Sequence, residues 1–392
     1  MLNRPLDLLL GGLTLLTPAA LHLFLAAIPA VKAEFELSDA LAQLTFSVGV
    51  FGLAFSTLAY GALGDRLGRR PVLLAGITLF VLGSVVSGLA TSFAGLLAGR
   101  LIQAVGAGCG VTLARAIAGD VYGAEGMVKS IAYLSLAFAL GGLAAPGVGG
   151  LLVDRAGWRA IFAFASIAGL AVLIGTYLLV PDTGGHTPAG RGAPMAGGIL
   201  KLLRHTRVCA LVVHTGSTTG TFMTLATASS VLMKEVLDRP AAEFGLYFAM
   251  MPLGFISGSL ISSRLANRAP VERMVLIGAG IGLAAVLVQA SLLLSGRLTP
   301  LVLVVPGAFV TFGQGLSLPF AQAGAMATVP TLAATAAGIG VFVQNLMGAG
   351  VAQLYGLMAD GTAIPLVKTT VAMSALSLAS ALAASLLARP KA

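Results

Sequence analysis

Four ionisable side chains lie within long apolar stretches of this sequence: His22, Arg100, Arg115 and His214. A charged group in the hydrocarbon core of a membrane is costly, so such residues pair with another group or line a water-filled cavity. An arginine there can meet an anionic or polar solute, and an imidazole can exchange protons near physiological pH. The pattern therefore indicates binding and proton exchange inside a membrane.

Each arginine allows two interpretations. Arg100 lies about six residues inside the outer end of its apolar stretch, roughly 9 Å deep at 1.5 Å per residue. Its guanidinium either faces a cavity or a partner, or extends to the outer headgroups. Arg115 stands near the inner end of the same stretch, before Asp120. It either extends towards the inner surface or contacts substrate.

The composition excludes a soluble domain. Hydrophobic residues make up 57% of the 392 residues and charged residues only 9%, whereas roughly a quarter of a soluble domain is charged. The apolar stretches are continuous rather than alternating, which favours helices over a β-barrel. The net charge of +9 does not indicate nucleic-acid binding, because the basic residues occupy short loops between apolar runs.

The sequence predicts an all-α integral membrane protein with twelve transmembrane helices in two six-helix bundles. The bundles are 1–181 and 206–392, joined by a Gly- and Pro-rich linker at 182–205. The first run is too long for the core of a signal peptide. The apolar runs, each long enough to cross a bilayer, are 8–31, 42–63, 71–92, 95–118, 128–151, 159–181, 206–230, 243–263, 272–295, 300–325, 335–358 and 364–388.

Basic residues predict the orientation in the membrane. With the N-terminus inside, the inner loops hold about twice as many Lys and Arg residues as the outer loops. Both termini and the linker are therefore expected in the cytoplasm.

The turn Gly61–Arg70 reads Gly-Ala-Leu-Gly-Asp-Arg-Leu-Gly-Arg-Arg. It resembles the loop between helices 2 and 3 of major facilitator superfamily transporters, Gly-x-Leu-x-Asp-Arg-x-Gly-Arg-Arg/Lys. The resemblance implies that Arg69 pairs with Asp120, and we expect Asp65 near the N-terminus of the eleventh helix, where the helix dipole favours an anion. A partial copy, Ser263–Arg268, follows the second helix of the second half. The implied gating residues are Gly61, Asp65, Arg66, Gly68, Arg69, Arg70 and Asp120.

Two further segments resemble drug–proton antiporters of this family. Arg100–Gly108 resembles Arg-x-x-Gln-Gly-x-Gly, with Ala104 in place of a glycine, and implies a part in proton coupling for Arg100 and Gln103. Gly141–Gly150 resembles Gly-x-x-x-Gly-Pro-x-x-Gly-Gly; small-residue helix packing is the other interpretation. The antiporter residues that this second likeness implies are Gly141, Pro146, Gly149 and Gly150.

The segment Pro18–Pro29 of the first apolar run aligns with Pro-x-x-x-Asp-x-Tyr-Leu-Pro-x-x-Pro, a pattern of the bicyclomycin/chloramphenicol-resistance branch of this family. Gly157-Trp158-Arg159 also resembles that branch, and Trp158 would in addition anchor at the membrane interface. The branch carries a membrane acid where this chain has His22, and no Asp or Glu lies in the middle of any run. A protonated histidine is cationic, whereas the protonated acid is neutral. The resulting hypothesis is a preference for neutral or anionic substrates, with a packed, hydrogen-bonded His22 as the other possibility.

Polar side chains of the second half are further candidates for substrate contact. The seventh run is rich in hydroxyl groups, most of which are expected to bond within their own helix or to pack between helices. The candidates are His214, Thr218, Phe222, Gln314, Gln344 and Asn345.

Enzymatic chemistry finds no support in the sequence. There is no phosphate-binding loop, and the four histidines and two cysteines form no metal-ligand pattern. We expect neither a cofactor nor a metal, and an ion or substrate gradient must drive transport.

The favoured function is export of small amphiphilic drugs or metabolites in exchange for protons, by a monomer in the bacterial inner membrane. Two alternatives stay open. One is a dedicated transporter of a single neutral or anionic metabolite, by symport or facilitated diffusion. The other is a membrane receptor that no longer transports.

Overall fold

The computed structural model describes residues 4–181, 202, 204–265, 268–329 and 332–388. The elements of this part of the chain are all helical, without a strand. They form two compact units: Met1–Arg191 with Pro240–Gly245, and Gly192–Arg239 with Leu246–Ala392. The predicted linker lies almost entirely outside the described residues.

The first unit contains six helices and the start of another. They are α1 (Arg4–Leu25), α2 (Ile28–Glu34), α3 (Asp39–Leu67), α4 (Arg69–Gly88), α5 (Phe93–Ala156), α6 (Arg159–Leu179) and the first turn of α8 (Ala241–Phe248).

The remaining helices belong to the second unit. They are α7 (Thr206–Glu235), the rest of α8, α9 (Met250–Leu265), α10 (Val271–Leu294), α11 (Pro300–Thr328), α12 (Ala333–Met358) and α13 (Ile364–Ala388).

The first predicted transmembrane helix is interrupted. α1 ends at Leu25, and α2 begins at Ile28, with Pro29 in its first turn. Ala26 and Ala27 lie between the two helices. Proline lacks the N–H that would continue the hydrogen-bond ladder of a preceding helix, and it disfavours helical geometry in the residue before it. The chain bridges the break with a hydrogen bond of 2.9 Å from the Ala27 N–H to the Phe24 carbonyl.

The predicted fourth and fifth transmembrane helices are both present, as Phe93–Tyr122 and Tyr133–Ala156, but they belong to one helical element, α5, without a non-helical loop between them. The direction of the chain nevertheless reverses within α5. Its first limb, Phe93–Tyr122, runs antiparallel to α1: Tyr122 contacts Asp7, Gly110 approaches Leu13, and Arg100 contacts Ala20. Its second limb, Tyr133–Ala156, runs parallel to α1: Tyr133 approaches Gly11, Gly141 approaches Leu15, and Gly149 approaches Leu23.

Glycines allow α4 to approach the first limb of α5 very closely. A Cβ atom built at Gly83 would lie 2.2 Å from the backbone nitrogen of Gln103, and one at Gly106 would lie 2.2 Å from that of Phe80. Small residues at such crossings let helix backbones come together in a membrane. This packing fixes the position of the residues between these glycines, including Gln103.

Eleven of the described helical stretches are long and apolar enough to cross a membrane. The predicted seventh helix, α7, has 30 residues, which is also sufficient length. It is less apolar than the other long helices because of its many hydroxyl side chains. Those hydroxyls are mostly buried within the second unit.

Candidate functional site

Arg100 is fully buried, at 0% exposure. Its guanidinium donates to the carbonyl oxygens of Ala20 at 2.6 Å and Thr45 at 3.2 Å. It also donates to Oε1 of Gln103 at 2.7 Å and lies 4.2 Å above the ring of Phe24. The side chain therefore connects α1, α3 and α5, and it does not extend to the outer headgroups.

The charge of Arg100 has no carboxylate to balance it among the described residues. Every acceptor that the structure gives it is neutral, and its Nη2 atom is buried without a hydrogen-bond partner in the described part of the chain. Breaking or leaving unpaired a buried charge costs several kcal/mol in proteins. The site is thus suited to an anionic group or to a change in its own solvation.

Gln103 relays the contact of Arg100 to α4. Its Oε1 accepts from Arg100, and its Nε2 donates to Oγ of Ser84 at 2.8 Å. Ser84 in turn donates to the Phe80 carbonyl at 2.7 Å. Both polar groups of the Gln103 amide are used, so its orientation is fixed, and the two residues predicted from the antiporter-like segment do lie together.

His22 lies on α1 two residues after Ala20, whose carbonyl accepts from Arg100. It is partly buried, and its ring faces Gly142 on the second limb of α5. A Cβ atom at Gly142 would lie 3.5 Å from Nδ1 of His22, which is ordinary van der Waals contact. The structure thus places His22 between Arg100 and the second limb of α5, which bears the antiporter-like segment Gly141–Gly150 and is called the antiporter-like helix below.

Arg115 is separate from this cluster. Its side chain is exposed in the isolated protein, and it forms no ion pair or hydrogen bond with a described residue. An unpartnered cation on a membrane-spanning helix is available to an anionic solute or to lipid headgroups.

The predicted cytoplasmic turn joins α3 to α4 through Gly68, whose φ of 93° is a conformation that glycine adopts readily. Arg69 lies between two carboxylates, with Nη1 at 2.6 Å from Asp65 and Nε at 3.3 Å from Asp120. Arg70 donates to the Tyr177 carbonyl at 2.7 Å. The predicted pairing of Arg69 with Asp120 is confirmed; its part in gating stays a prediction.

We expect Asp120→Asn to slow transport by about 3- to 10-fold, while the free energy of unfolding falls by less than about 1 kcal/mol, as is usual for partly exposed ion pairs. The pair of Arg69 with Asp120 connects the turn to the first limb of α5. If this pair takes part in gating, its loss lowers the transport rate more than it lowers the free energy of unfolding. Rates in proteoliposomes and thermal unfolding in detergent measure the two effects. Asp238→Asn, which breaks the exposed Lys234–Asp238 pair, is the control. Equal rates for the two variants would rule out the gating role.

The antiporter-like helix packs on α1 through its glycines. A Cβ atom at Gly149 would lie 2.3 Å from the Leu23 carbonyl oxygen, and one at Gly141 would lie 2.6 Å from Leu15. Pro146 lies inside the same helix. Close packing of small residues, the structural interpretation of this segment, is therefore present.

The C-terminal end of the same limb contacts the Pro240–Gly245 segment of the first unit. A Cβ atom at Gly150 would lie 2.2 Å from the Ala241 carbonyl oxygen. The carboxylate of Asp154 accepts from the backbone N–H groups of Ala241 at 3.1 Å and Ala242 at 2.8 Å. Asp154 thus satisfies two otherwise unpaired donors at the start of α8, a role the sequence did not reveal.

In the second unit His214 is fully buried, and both of its ring nitrogens have partners. Nε2 lies 3.0 Å from Oγ of Ser317, and Nδ1 lies 3.0 Å from Oγ of Ser377. The ring thereby connects α7 to α11 and α13. This arrangement matches a packing role more closely than an open substrate contact.

Most of the other predicted substrate-contact residues of the second unit have their own contact partners. Thr218 donates to the Thr215 carbonyl, Gln314 donates to Thr219 at 2.9 Å, and Asn345 donates to the Val341 carbonyl. Phe222 packs on Phe248, and Gln344 is partly buried. These hydrogen bonds and this ring contact join the candidates to residues outside the candidate set.

Sequence reasoning missed an ion pair between the starts of α7 and α10 in the second unit. Arg207 lies 2.6 Å from Glu272 and donates to Oγ1 of Thr328 at 2.8 Å. It joins α7, α10 and α11 at positions unrelated to the partial copy of the turn. The only signal for this pair in the sequence was a basic residue at the start of one helix and an acidic residue at the start of another. The two residues are 65 positions apart.

Trp158 also differs from its predicted role as an interfacial anchor. It is only 3% exposed, and its indole N–H donates to Glu34 at 2.5 Å.

The sequence matches the Major Facilitator Superfamily over residues 10–352. The chain belongs to this superfamily. A bicyclomycin resistance protein homolog of Haemophilus influenzae is 27% identical over 368 residues, covering 92% of this chain and 91% of that protein. The multidrug resistance protein MdtL of Escherichia coli is 30% identical over 239 residues, 61% of each chain.

Solved structures of the superfamily share the fold. The nucleoside transporter NupG superposes with a TM-score of 0.77 at 13% identity, covering 98% of this chain and all 100% of that one. The xylose transporter XylE of Escherichia coli, partially occluded and inward open, gives a TM-score of 0.72 at 16% identity, with 97% and 96% covered. The predicted superfamily fold and the assignment as a multi-pass membrane transporter rather than an enzyme are confirmed.

Proposed function

We propose that this chain exports small amphiphilic compounds across the bacterial inner membrane by alternating access, in exchange for protons. The observation that carries the proposal is the buried, neutral-liganded Arg100 beside the helix that bears His22. A buried cation without a carboxylate partner responds strongly to a charge that arrives nearby, because charges interact strongly in a poorly solvated site. The similarity to a bicyclomycin resistance protein homolog and to MdtL supports drugs as the substrate class. The proposed arrangement further includes cytoplasmic termini and a monomer.

His22 is the proposed proton-exchanging group. It occupies the position of the missing membrane acid, and its ring lies against Gly142 of the antiporter-like helix. Its imidazole is the titratable group nearest along α1 to the carbonyl that Arg100 holds. Proton uptake at His22 would raise the positive charge of a region that already contains Arg100, which favours release or exchange of a cation and retention of an anion.

The proposal is tested with the purified protein in proteoliposomes, using bicyclomycin as the probe and an imposed pH gradient. We expect transport to follow the gradient in the wild type and to lose that dependence in His22→Ala. Rates that ignore the gradient in the wild type would reject proton exchange. Gradient dependence that survives in both His22→Ala and Arg100→Ala would reject the assigned residues.

A second candidate, a transporter dedicated to one neutral or anionic metabolite, is favoured by the basic character of the region. Arg100 and Arg115 have no carboxylate partners among the described residues, and the apolar runs lack central acids. Cations should therefore be disfavoured, since like charges in a poorly solvated site repel strongly.

We expect an anionic fluorescent dye to be transported at least about 10-fold faster than a cationic dye of matched size, given a difference of about 1.4 kcal/mol or more in binding. Initial dye uptake and efflux rates in the same vesicles make the comparison, and empty vesicles correct for leak. A clear preference for the cationic dye would contradict this selectivity.

A further inference from the structure

Three side chains at the outer end of the first unit form a compact polar cluster, which we name the outer clasp: Glu34, Trp158 and Arg159. One carboxylate oxygen of Glu34 lies 2.6 Å from Nη1 of Arg159, and the other accepts from the Trp158 indole at 2.5 Å. Arg159 also stacks over the Trp158 ring at 4.2 Å and donates to the Ala90 carbonyl at 3.0 Å. The clasp thus joins the end of α2 to the start of α6 and the end of α4.

The outer clasp holds the segment that follows the break in the first helix. Glu34 is the last residue of α2, and the break between α1 and α2 lies immediately after Leu25. Because Pro29 prevents a continuous helix, the orientation of α2 depends on tertiary contacts. The clasp supplies two such polar contacts through both oxygens of the Glu34 carboxylate, and the pair of Lys32 with Asp39 supplies another.

A continuous series of ring contacts leads from the clasp to Arg100. The Trp158 ring meets that of Phe162 edge to face at 5.9 Å, and Phe162 meets Phe24 at 5.7 Å. Phe24 stands at the break, one residue before the end of α1, and the guanidinium of Arg100 lies 4.2 Å from its ring centre. Aromatic contacts at these separations have preferred geometries, so a displaced ring moves its neighbours.

We propose that the outer clasp is a positioning device for the Arg100 site. It holds α2 and the break, and through Phe162 it keeps Phe24 over the guanidinium of Arg100. Loosening the clasp therefore changes the surroundings of Arg100 without touching it. This proposal rests on the proposed function only in assigning Arg100 to transport; the physical connection between the two places is independent of it.

The charge state of Glu34 suits a constant anchor. Slight burial raises its pKa, but the hydrogen bonds from Trp158 and Arg159 outweigh that effect and hold the pKa below its ordinary value. A carboxylate with a lowered pKa contributes its stabilisation above the unfolded pKa and loses it only as the pH falls through the lowered value. Glu34 therefore stays ionised at neutral pH, and the clasp remains closed over the working range.

Trp158 is the only tryptophan of the chain, so its fluorescence reports the outer clasp directly. In the purified full-length protein we expect Glu34→Gln to shift the Trp158 emission to longer wavelength and to increase its quenching by acrylamide. The control is Asp39→Asn, which breaks the other ion pair of α2, between Lys32 and Asp39, but leaves the contacts of Glu34 with Trp158 and Arg159 intact. We expect the control to leave the emission unchanged. Emission spectra that do not distinguish the two variants would overturn the description of the clasp.

The connection to Arg100 is tested from the other end with Phe24→Leu, which removes the ring but keeps an apolar side chain. We expect it to change the acrylamide quenching of Trp158, although position 24 does not contact the clasp. Arg100→Lys should act in the same direction. If neither substitution alters Trp158, the proposed connection is absent, whatever the protein transports.

Transport supplies the readout that a merely structural role would not move. With bicyclomycin in proteoliposomes, we expect Glu34→Gln and Phe24→Leu to lower the maximal rate about 3- to 10-fold with KM little changed, and to shift the pH profile in the same direction. The double variant should be no slower than the slower single variant, because both act through one contact series.

Two results separate the proposals. A double variant whose defects multiply, or a Glu34→Gln pH profile like that of Asp39→Asn, would overturn the positioning role. A wild type that ignores the proton gradient, with the fluorescence connection intact, would reject proton exchange and leave the connection standing.

Discussion

Arg100→Lys is expected to transport about 100-fold more slowly than the wild type, since two charge-assisted hydrogen bonds at about 1.5 kcal/mol each correspond to such a factor. Lysine keeps the positive charge, so the loss reports geometry and not charge. The guanidinium reaches acceptors on three different helices. An ammonium on a flexible stem lacks the planar fork needed to do this and also stacks less well on Phe24.

The transport rate in proteoliposomes is divided by the amount of folded protein, which gel filtration measures. Arg155→Lys is the matched control, because it makes the same exchange at an exposed position of the same helix. We expect the control to keep the wild-type rate. A folded Arg100→Lys protein that retains more than about half of the wild-type rate would contradict the role assigned to Arg100, as that is a difference below about 0.5 kcal/mol.

The second large effect is expected for Gly149→Ala. Its new Cβ atom would lie 2.3 Å from the Leu23 carbonyl oxygen, and backbone cannot move aside as a side chain can. The second limb of α5 must therefore separate from α1 beside His22. Overpacking of this kind costs about 1–3 kcal/mol, so we expect a lower unfolding temperature and a transport rate reduced by about 10-fold or more.

Gly147→Ala is the control, with the same substitution two residues away. The nearest atom to its new Cβ would be the Gly245 carbonyl oxygen at 3.9 Å, which is ordinary contact. Thermal unfolding in detergent and bicyclomycin transport measure both variants. If Gly149→Ala and Gly147→Ala behave alike, the close approach of the two backbones does not matter for function.

Much of the architecture was predictable from the apolar runs. Backbone polar groups must be satisfied inside the bilayer, so a run of about twenty apolar residues predicts a helix almost regardless of its neighbours. The superfamily was predictable from the turn Gly61–Arg70, and its contact between Arg69 and Asp120 is present at 3.3 Å. A turn with fixed charges at fixed spacing keeps its local geometry, and Asp120 lies near the end of the first limb of α5, Phe93–Tyr122.

The break in the first helix was harder to predict. Pro29 signals a possible interruption, but its effect depends on whether neighbouring contacts support α2. The reversal between Tyr122 and Tyr133, by contrast, follows from the prediction of separate fourth and fifth transmembrane helices, although α5 has no non-helical loop there. The opposite order in which the two limbs contact α1 agrees with that prediction.

The sequence by itself determined the membrane helices, the charged turn Gly61–Arg70 and the pair of Arg100 with Gln103, because these depend on composition and on spacings of a few residues. The tertiary structure alone decided what Arg100 touches, since two of its acceptors are backbone carbonyls, which every residue carries. It also decided the partner of Trp158, a glutamate 124 residues away. Such a pair leaves no periodic pattern in the sequence and forms only when folding brings the ends of separate helices together.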